Sequence, residues 1–262
     1  MTTAEAFYLP LGDGRFAATA LTRGPWSPDS QHAGPPAALL GRAVEQLPDA
    51  RPGFRVARMT FEILRPVPVA EVTVSARRAE TGRSVERVDA SLTGPDGRVA
   101  MRAAALLIRT DEGAAPEVDQ PLAVSAPDAS PARPFPVRWD EGYHTAMEVR
   151  FASGSFTEPG PAVCWFRMRQ PLVADEEPSG LARVLVAADS GNGISSELDI
   201  RRHIYVNPDL TVHLQRLPVG EWVGLDARTT IDQAGIGLAT SRLLDEESVI
   251  GRAAQSLFVT AR

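Results

Sequence analysis

Lysine is absent from this chain, and all 27 of its basic residues are arginine. That excludes a phosphate loop of the G-x-x-x-x-G-K-[ST] type, whose lysine sits on the phosphates. It equally excludes Schiff-base catalysis, because a guanidinium is not a usable amine nucleophile near pH 7. A GC-rich genome would also produce arginine in place of lysine, but the chemical exclusions hold under either cause. Cysteine is nearly absent too: the single Cys164 excludes a disulfide framework and any multi-cysteine zinc site, and suits a reducing compartment. It lies in the apolar run AVCWF and reads as a buried, inert thiol. The four histidines, 32, 144, 203 and 213, show neither H-x-x-x-H nor H-E-x-x-H spacing, so no metal site is expected. No run approaches ~18 apolar residues, and the start MTTAEAFYLP has neither a basic nor an apolar leader region, so a soluble, cytoplasmic protein with no membrane partner is expected. The net charge of −6 is mild and no basic stripe is present, which argues against nucleic acid.

What is present is an ample apolar fraction, 44% hydrophobic residues over 262 with 23% charged, enough for a sizeable core in one large domain or two small ones. The chain also repeats itself. MTFEILR at 59–65 matches LTVHLQR at 210–216, an offset of 151 residues. VAMRAAALLI at 99–108 matches VIGRAAQSLF at 249–258, an offset of 150. Between these blocks EVTVSAR (71–77) and EWVGLDAR (221–228) share period-two alternation. Such matches in one order indicate duplication.

Each half opens with an apolar helical segment. The first, PPAALLGRAVEQL (35–47), is entered through Ser30 and the HAGPP turn; the second, SGLARVLVAAD (179–189), has Ser179 as N-cap. Three or four alternating runs follow each, broken by turn signals at GPDG (94–97) and QAGIG (233–237). The six prolines of 111–138 mark a linker between an N-terminal unit, 1–110, and a C-terminal unit, 139–262. A helix apolar nearly all round must be wrapped. The expected class is therefore α+β, with each half a central helix wrapped by a curled antiparallel sheet and the two sheets joined edge to edge.

Taken together, HAGPPAALLGRA, FEILRPVPV, AADSGNG, NPDLTVHLQR and GRAAQSLF, in that order on a duplicated unit, resemble the tandem (double) hotdog thioesterases of the acyl-CoA thioesterase II type. The resemblance spans the chain apart from the linker. It implies hydrolysis of an acyl-CoA or acyl-carrier thioester without metal or organic cofactor, and a homodimer of tandem hotdogs. It also implies a water held by an Asp at the end of the second helix, a Thr or Asn on the next long strand and a Gln on the last strand. Asp189 and Gln255 match the first and last of these. The middle position falls on Asn207 by ungapped counting, or on Thr211 if a gap intervenes.

The halves differ at these places. Ala105 stands where the second half has Gln255, and Val56 where it has Asn207, as if the duplicated copy had kept one site and lost the other. The chemistry is coherent: a thiolate with a pKa near ~8.5 leaves readily, so one carboxylate base with amides to place the water suffices. No G-x-S-x-G elbow is present. Plainer readings stand beside these. Asp189 suits a helix-end turn before SGNG, Gln255 a satisfied polar group on an apolar strand, and Asn207–Pro208–Asp209 a strand entry. His32, beside a Gly-Pro turn in the first half, reads as structural or as lying near an acyl tunnel. The four tryptophans read as core or interface, and the arginine-rich stretch 77–87 as a solvated strand pair. Two alternatives remain: a non-hydrolytic acyl-binding or tailoring protein, and an enoyl-thioester hydratase or dehydratase. The latter's His five residues after a catalytic Asp is not matched, since Ile194 stands there.

Overall fold

The computed structural model describes residues 5–48, 50–116, 118, 122–133, 135, 137, 139–199 and 201–262. The first half contributes β1 (Tyr8–Gly12), β2 (Arg15–Ala18), helix α1 (Gly34–Glu45), β3 (Phe54–Ile63), β4 (Glu71–Thr81), β5 (Val85–Thr93) and β6 (Val99–Arg109). The second contributes the short helix α2 (Tyr143–Ala146), then β7 (Met147–Ser153), β8 (Ala162–Met168), α3 (Gly180–Ala188), the one-turn α4 (Gly191–Ile194), β9 (His203–Val206), β10 (Asp209–Leu214), β11 (Val223–Ile231), β12 (Ile236–Leu244) and β13 (Val249–Ala261).

The strands form one sheet in the order β1-β2-β4-β5-β6-β3-β10-β13-β12-β11-β8-β7, with β9 beside β13. Read outward from the centre, both halves run through the same sequence of equivalent strands, which is the structural form of the repeat. The halves join at β3–β10, where Thr60 pairs with Thr211. These two residues are each other's counterpart under the 151-residue offset, so the approximate two-fold axis passes through them. The join hides two strand edges that would otherwise be unpaired.

Alternation explains the strands: every second residue of β5 from Glu86 to Leu92 is buried, and Ala253, Gln255, Leu257 and Val259 of β13 face inward. The two strands that precede each helix were not anticipated. β1 has a burial pattern of one buried residue followed by four exposed, without alternation. The two helices lie where the expected elements were. Prolines 35 and 36 occupy the first turn of α1, where their missing N–H groups would be unpaired in any case. Ser179 caps α3 by accepting from the Ala182 amide at 3.1 Å.

α1 and α3 pack against each other antiparallel, and small residues permit the approach. A Cβ on Gly34 would stand 2.3 Å from the Val186 carbonyl oxygen, and one on Gly41 would meet Leu185 at 2.5 Å. Polar contacts tie the helix ends. Arg42 makes a two-pronged bond to Glu176 at 2.5 and 2.6 Å, and Ser179 donates to Glu45 at 2.6 Å. Trp165 and Trp222 are buried, but Trp26 is 55% exposed and belongs to no core of this chain. Within 111–138 the described residues hold one 3-10 turn, Pro127–Ala129, and a single bridge, Ala132 to Arg150. No helix among the described residues is long and apolar enough to cross a membrane.

Candidate active site

Asp189 ends α3. Because Leu181, Ala182 and Val184 through Ala188 are all buried, the helix carries its last residue into the interior, where Asp189 is 6% exposed. Its Oδ1 accepts from Asn207 Nδ2 at 2.8 Å and from Gln255 Nε2 at 3.1 Å. Gln255 is the polar exception on the inward face of β13. Its amide also donates to the Asp189 carbonyl at 3.1 Å and accepts from the Asn192 N–H at 3.1 Å. Both N–H donors and one oxygen lone pair of this buried side chain are thereby used. Asn207 lies in the break between β9 and β10 and is the half-buried member of the three.

The far oxygen of the carboxylate meets the other half of the chain. Oδ2 is 3.2 Å from His32 Nδ1, and the backbone N–H groups of Ala33 and Gly34 lie close enough to favour the ionised carboxylate. These amides begin α1, whose N-cap Ala33 offers no side-chain acceptor. Asp189 thus stands at the start of a helix from the opposite half, where a helix N-terminus favours negative charge. His32 is fixed by its surroundings: its Nδ1 accepts from the Gly34 N–H at 3.1 Å, and its ring stacks on Tyr143 with centroids 3.9 Å apart and planes 2° from parallel. The Tyr143 hydroxyl in turn donates to the Val186 carbonyl at 3.0 Å and lies 3.0 Å from Ser190 Oγ.

Burial dominates the electrostatics. It lowers the His32 imidazole to about 3, so the ring is neutral near pH 7 and its contact with Asp189 is not an ion pair. It raises the Asp189 carboxyl to about 7, although the bonds from Asn207, Ala33, Gln255 and Gly34 all pull the other way. The result is a carboxyl half-ionised near neutrality, aimed between two amide side chains and a helix start. That is the condition of a general base poised for proton transfer.

The structure brings together Asp189, Gln255 and Asn207, and places Thr211 elsewhere. Thr211 Oγ1 donates to Thr60 at 3.3 Å on the central seam, so of the two candidates for the middle position Asn207 is the one beside the carboxylate. The idea that the polar groups had gathered in one copy needs correction, since His32 and the start of α1 come from the first half and complete the site across the helix pair. The missed signal was the histidine ahead of the Gly-Pro turn. Its partner lies more than 150 residues away, and no local spacing connects the two. Cys164 is buried, and burial holds its thiol well above the usual range. Stretch 77–87 is a laced strand pair, with Arg77 bonded to Asp89 at 2.5 Å and Arg87 bonded to Glu80.

Comparison with known proteins agrees with this architecture. Residues 22–108 match the model of the acyl-CoA thioesterase N-terminal domain, and residues 127–259 match that of the acyl-CoA thioesterase C-terminal domain. No curated protein matches the sequence. Among solved structures, a protein of unknown function with a hot dog fold from Alicyclobacillus acidocaldarius is similar at 18% identity, with 98% of this chain and 97% of that one covered and a TM-score of 0.76. An acyl-CoA thioesterase II from Mycobacterium marinum is similar at 14% identity, with 97% and 96% covered and a TM-score of 0.68. At such identities the structures establish the tandem hotdog fold. With both domain models matched in order across most of its length, the chain belongs to the acyl-CoA thioesterase family and is a thioester hydrolase.

Proposed function

We propose that the chain hydrolyses an acyl-CoA to the free acid and coenzyme A by direct attack of water, with Asp189 as general base. Water attacks the thioester carbonyl carbon and gives its proton to the Asp189 carboxylate; the C–S bond breaks and the thiolate leaves, taking up that proton. Asn207 and Gln255 hold Oδ1 and so fix the direction of the base. Both hydrogens of the Gln255 amide are engaged in this, so donation to a bound water or carbonyl falls to half-buried Asn207. The dipole and amides at the start of α1 favour negative charge at this place, first on the carboxylate and then on the developing oxyanion.

His32 acts through Asp189 as a positioning residue, a neutral ring packed on Tyr143 that limits where Oδ2 can move. The observation that carries the reading is the pairing of near-complete burial with two side-chain amides on one oxygen, which gives a base near neutrality rather than an ordinary surface carboxylate.

A single turnover in ¹⁸O-labelled water tests the water-attack step. Direct attack puts the label in the released acid in the first turnover. Label appearing in Asp189, with unlabelled first product, would mean that the carboxylate attacks the substrate itself, and would overturn the general-base assignment.

A further inference from the structure

The two-fold axis gives the Asp189 site a counterpart in the first half, and there the same space is open. The strand register fixes the correspondence: Val88 pairs with Ala105 as Ala239 pairs with Gln255, and Val56 pairs with Leu107 where Asn207 and Leu257 stand in the second half. In that second half, residues 189–202 lie between α3 and β9, and include α4. α4 and the residues after it pack against the sheet there: Asn192 bonds Gln255, Ser195 Oγ lies 2.8 Å from Thr229 Oγ1, and the Leu198 N–H donates to the Tyr205 hydroxyl at 2.7 Å. In the first half only residues 46–53 separate α1 from β3, and among the described residues of that stretch no counterpart of α4 is present. A cleft of about 290 Å³ remains over this sheet face, at the lower end of the ~300–1,000 Å³ common for small-molecule pockets.

Its walls are mostly apolar, with Phe54, Val56, Val88 and Leu107 from the sheet and Val44 and Leu181 from the helices. Its polar groups sit at two places. At one, Glu45 accepts the Ser179 hydroxyl bond, so a carboxyl at the end of α1 faces the start of α3, as Asp189 faces the start of α1. At the other, buried Glu86 is shared between Arg51 at 2.8 Å and Arg78 at 3.3 Å, with exposed Arg55 beside them on the lining. Arg51 and Arg55 bring two guanidinium groups to the rim. Val56 and Ala105 take the places of Asn207 and Gln255, so the cleft lacks the amides that hold a catalytic carboxylate.

We propose that this cleft is a second acyl site that holds, without hydrolysing, an acyl chain with an anionic head group, the chain lying along Phe54, Val56 and Leu107 and the head group toward Arg51 and Arg55. The free carboxylate and the coenzyme A thioester share that chemistry. The choice of an acyl occupant rests on reading the chain as an acyl thioesterase.

The test is photolabelling of the full chain with a ten-carbon fatty acid bearing a terminal diazirine and, separately, with its coenzyme A ester, followed by peptide mapping. Expected is labelling within 43–56 by at least one probe, in addition to any at 189–207. Leu107→Trp, or Val56→Phe if the first variant does not fold, should reduce the 43–56 label at least tenfold and leave acyl-CoA hydrolysis unchanged. Labelling by the acid alone identifies the free carboxylate as the occupant, and labelling by both shows that the chain suffices. Label confined to 189–207, no label at all, or 43–56 label indifferent to the filled cleft overturns the proposal. The Asp189 reading fails separately, if Asp189→Asn still hydrolyses acyl-CoA.

Discussion

Replacing Asp189 by asparagine should make the protein more stable above neutrality, and the size of the effect follows from where the carboxyl sits. The substitution keeps volume and keeps an oxygen for Asn207 and Gln255. It removes a group whose pKa burial lifts from 3.8 to about 7 in the folded chain. An acid with a raised folded pKa binds its proton more tightly when folded. The stability tied to that proton is fully present below the unfolded value and is lost as pH rises through the folded one. At about 1.36 kcal/mol per unit, wild type loses about 4 kcal/mol across that window, and about 2 kcal/mol of it between pH 5 and pH 7, where the group is only half ionised at the upper end. The asparagine variant does not titrate there. Its amide hydrogens face the Ala33 and Gly34 donors, a mismatch worth about 1–3 kcal/mol, but that offset is independent of pH and shifts the whole curve. Urea unfolding of both proteins at pH 5, 6, 7 and 8 reads the difference directly. The variant should gain on wild type by about 2 kcal/mol from pH 5 to pH 7 and level off by about pH 8. A difference flat across the range would refute the reasoning, since it would mean that Asp189 ionises in the ordinary range and is only a cap for α1.

The same carboxyl sets the pH–rate profile: kcat/KM for acyl-CoA should fall below about pH 7 as Asp189 becomes protonated, and a profile level down to pH 5 would contradict it. Gln255→Leu should lower kcat by about 10²–10³-fold, as loss of a single preorganised donor does elsewhere, and destabilise the fold by about 1–3 kcal/mol because Asn192 N–H and the Asp189 carbonyl lose their partner; calorimetry and steady-state kinetics check the two separately. Thr211→Val, by contrast, should leave kcat within about twofold and cost under about 1.5 kcal/mol, since its hydroxyl bonds Thr60 on the central seam and not the Asp189 carboxylate. Gly34→Ala should cost at least about 1–3 kcal/mol, because its Cβ would meet a backbone oxygen at 2.3 Å; an unchanged melting temperature would show that α1 and α3 can separate freely.

Much of the fold is legible in the sequence because both signals that define it are local. Alternation marks β4, β5, β11 and β12, and the repeated blocks carry the register from one half to the other. Ser179 reads as a cap because a serine oxygen can reach its own helix. β1 escapes detection because a strand at the edge of the sheet with four exposed residues in a row needs no alternation, and β2 because four residues, RFAA, are too few to show a period. α4 escapes because four residues, GNGI, carry no periodic pattern. Within the site, Asp189 and Gln255 are visible as polar residues where apolar ones belong, at the end of a buried helix and on the inner face of β13. His32 is not, because its contact with Asp189 arises only when α1 and α3 meet end to start. The choice between Asn207 and Thr211 turns on which of the two faces Asp189 and which faces the seam, and ungapped counting settles that only after the Thr60–Thr211 pair is seen.

The measurement that bears most directly on the account is thiol release from a series of short, medium, long and aromatic acyl-CoAs by wild type and Asp189→Asn side by side. The account predicts release by wild type with at least one chain type and a loss of about 10²–10⁴-fold in the variant, with unfolding curves showing the variant intact. Equal rates from the two proteins would contradict it.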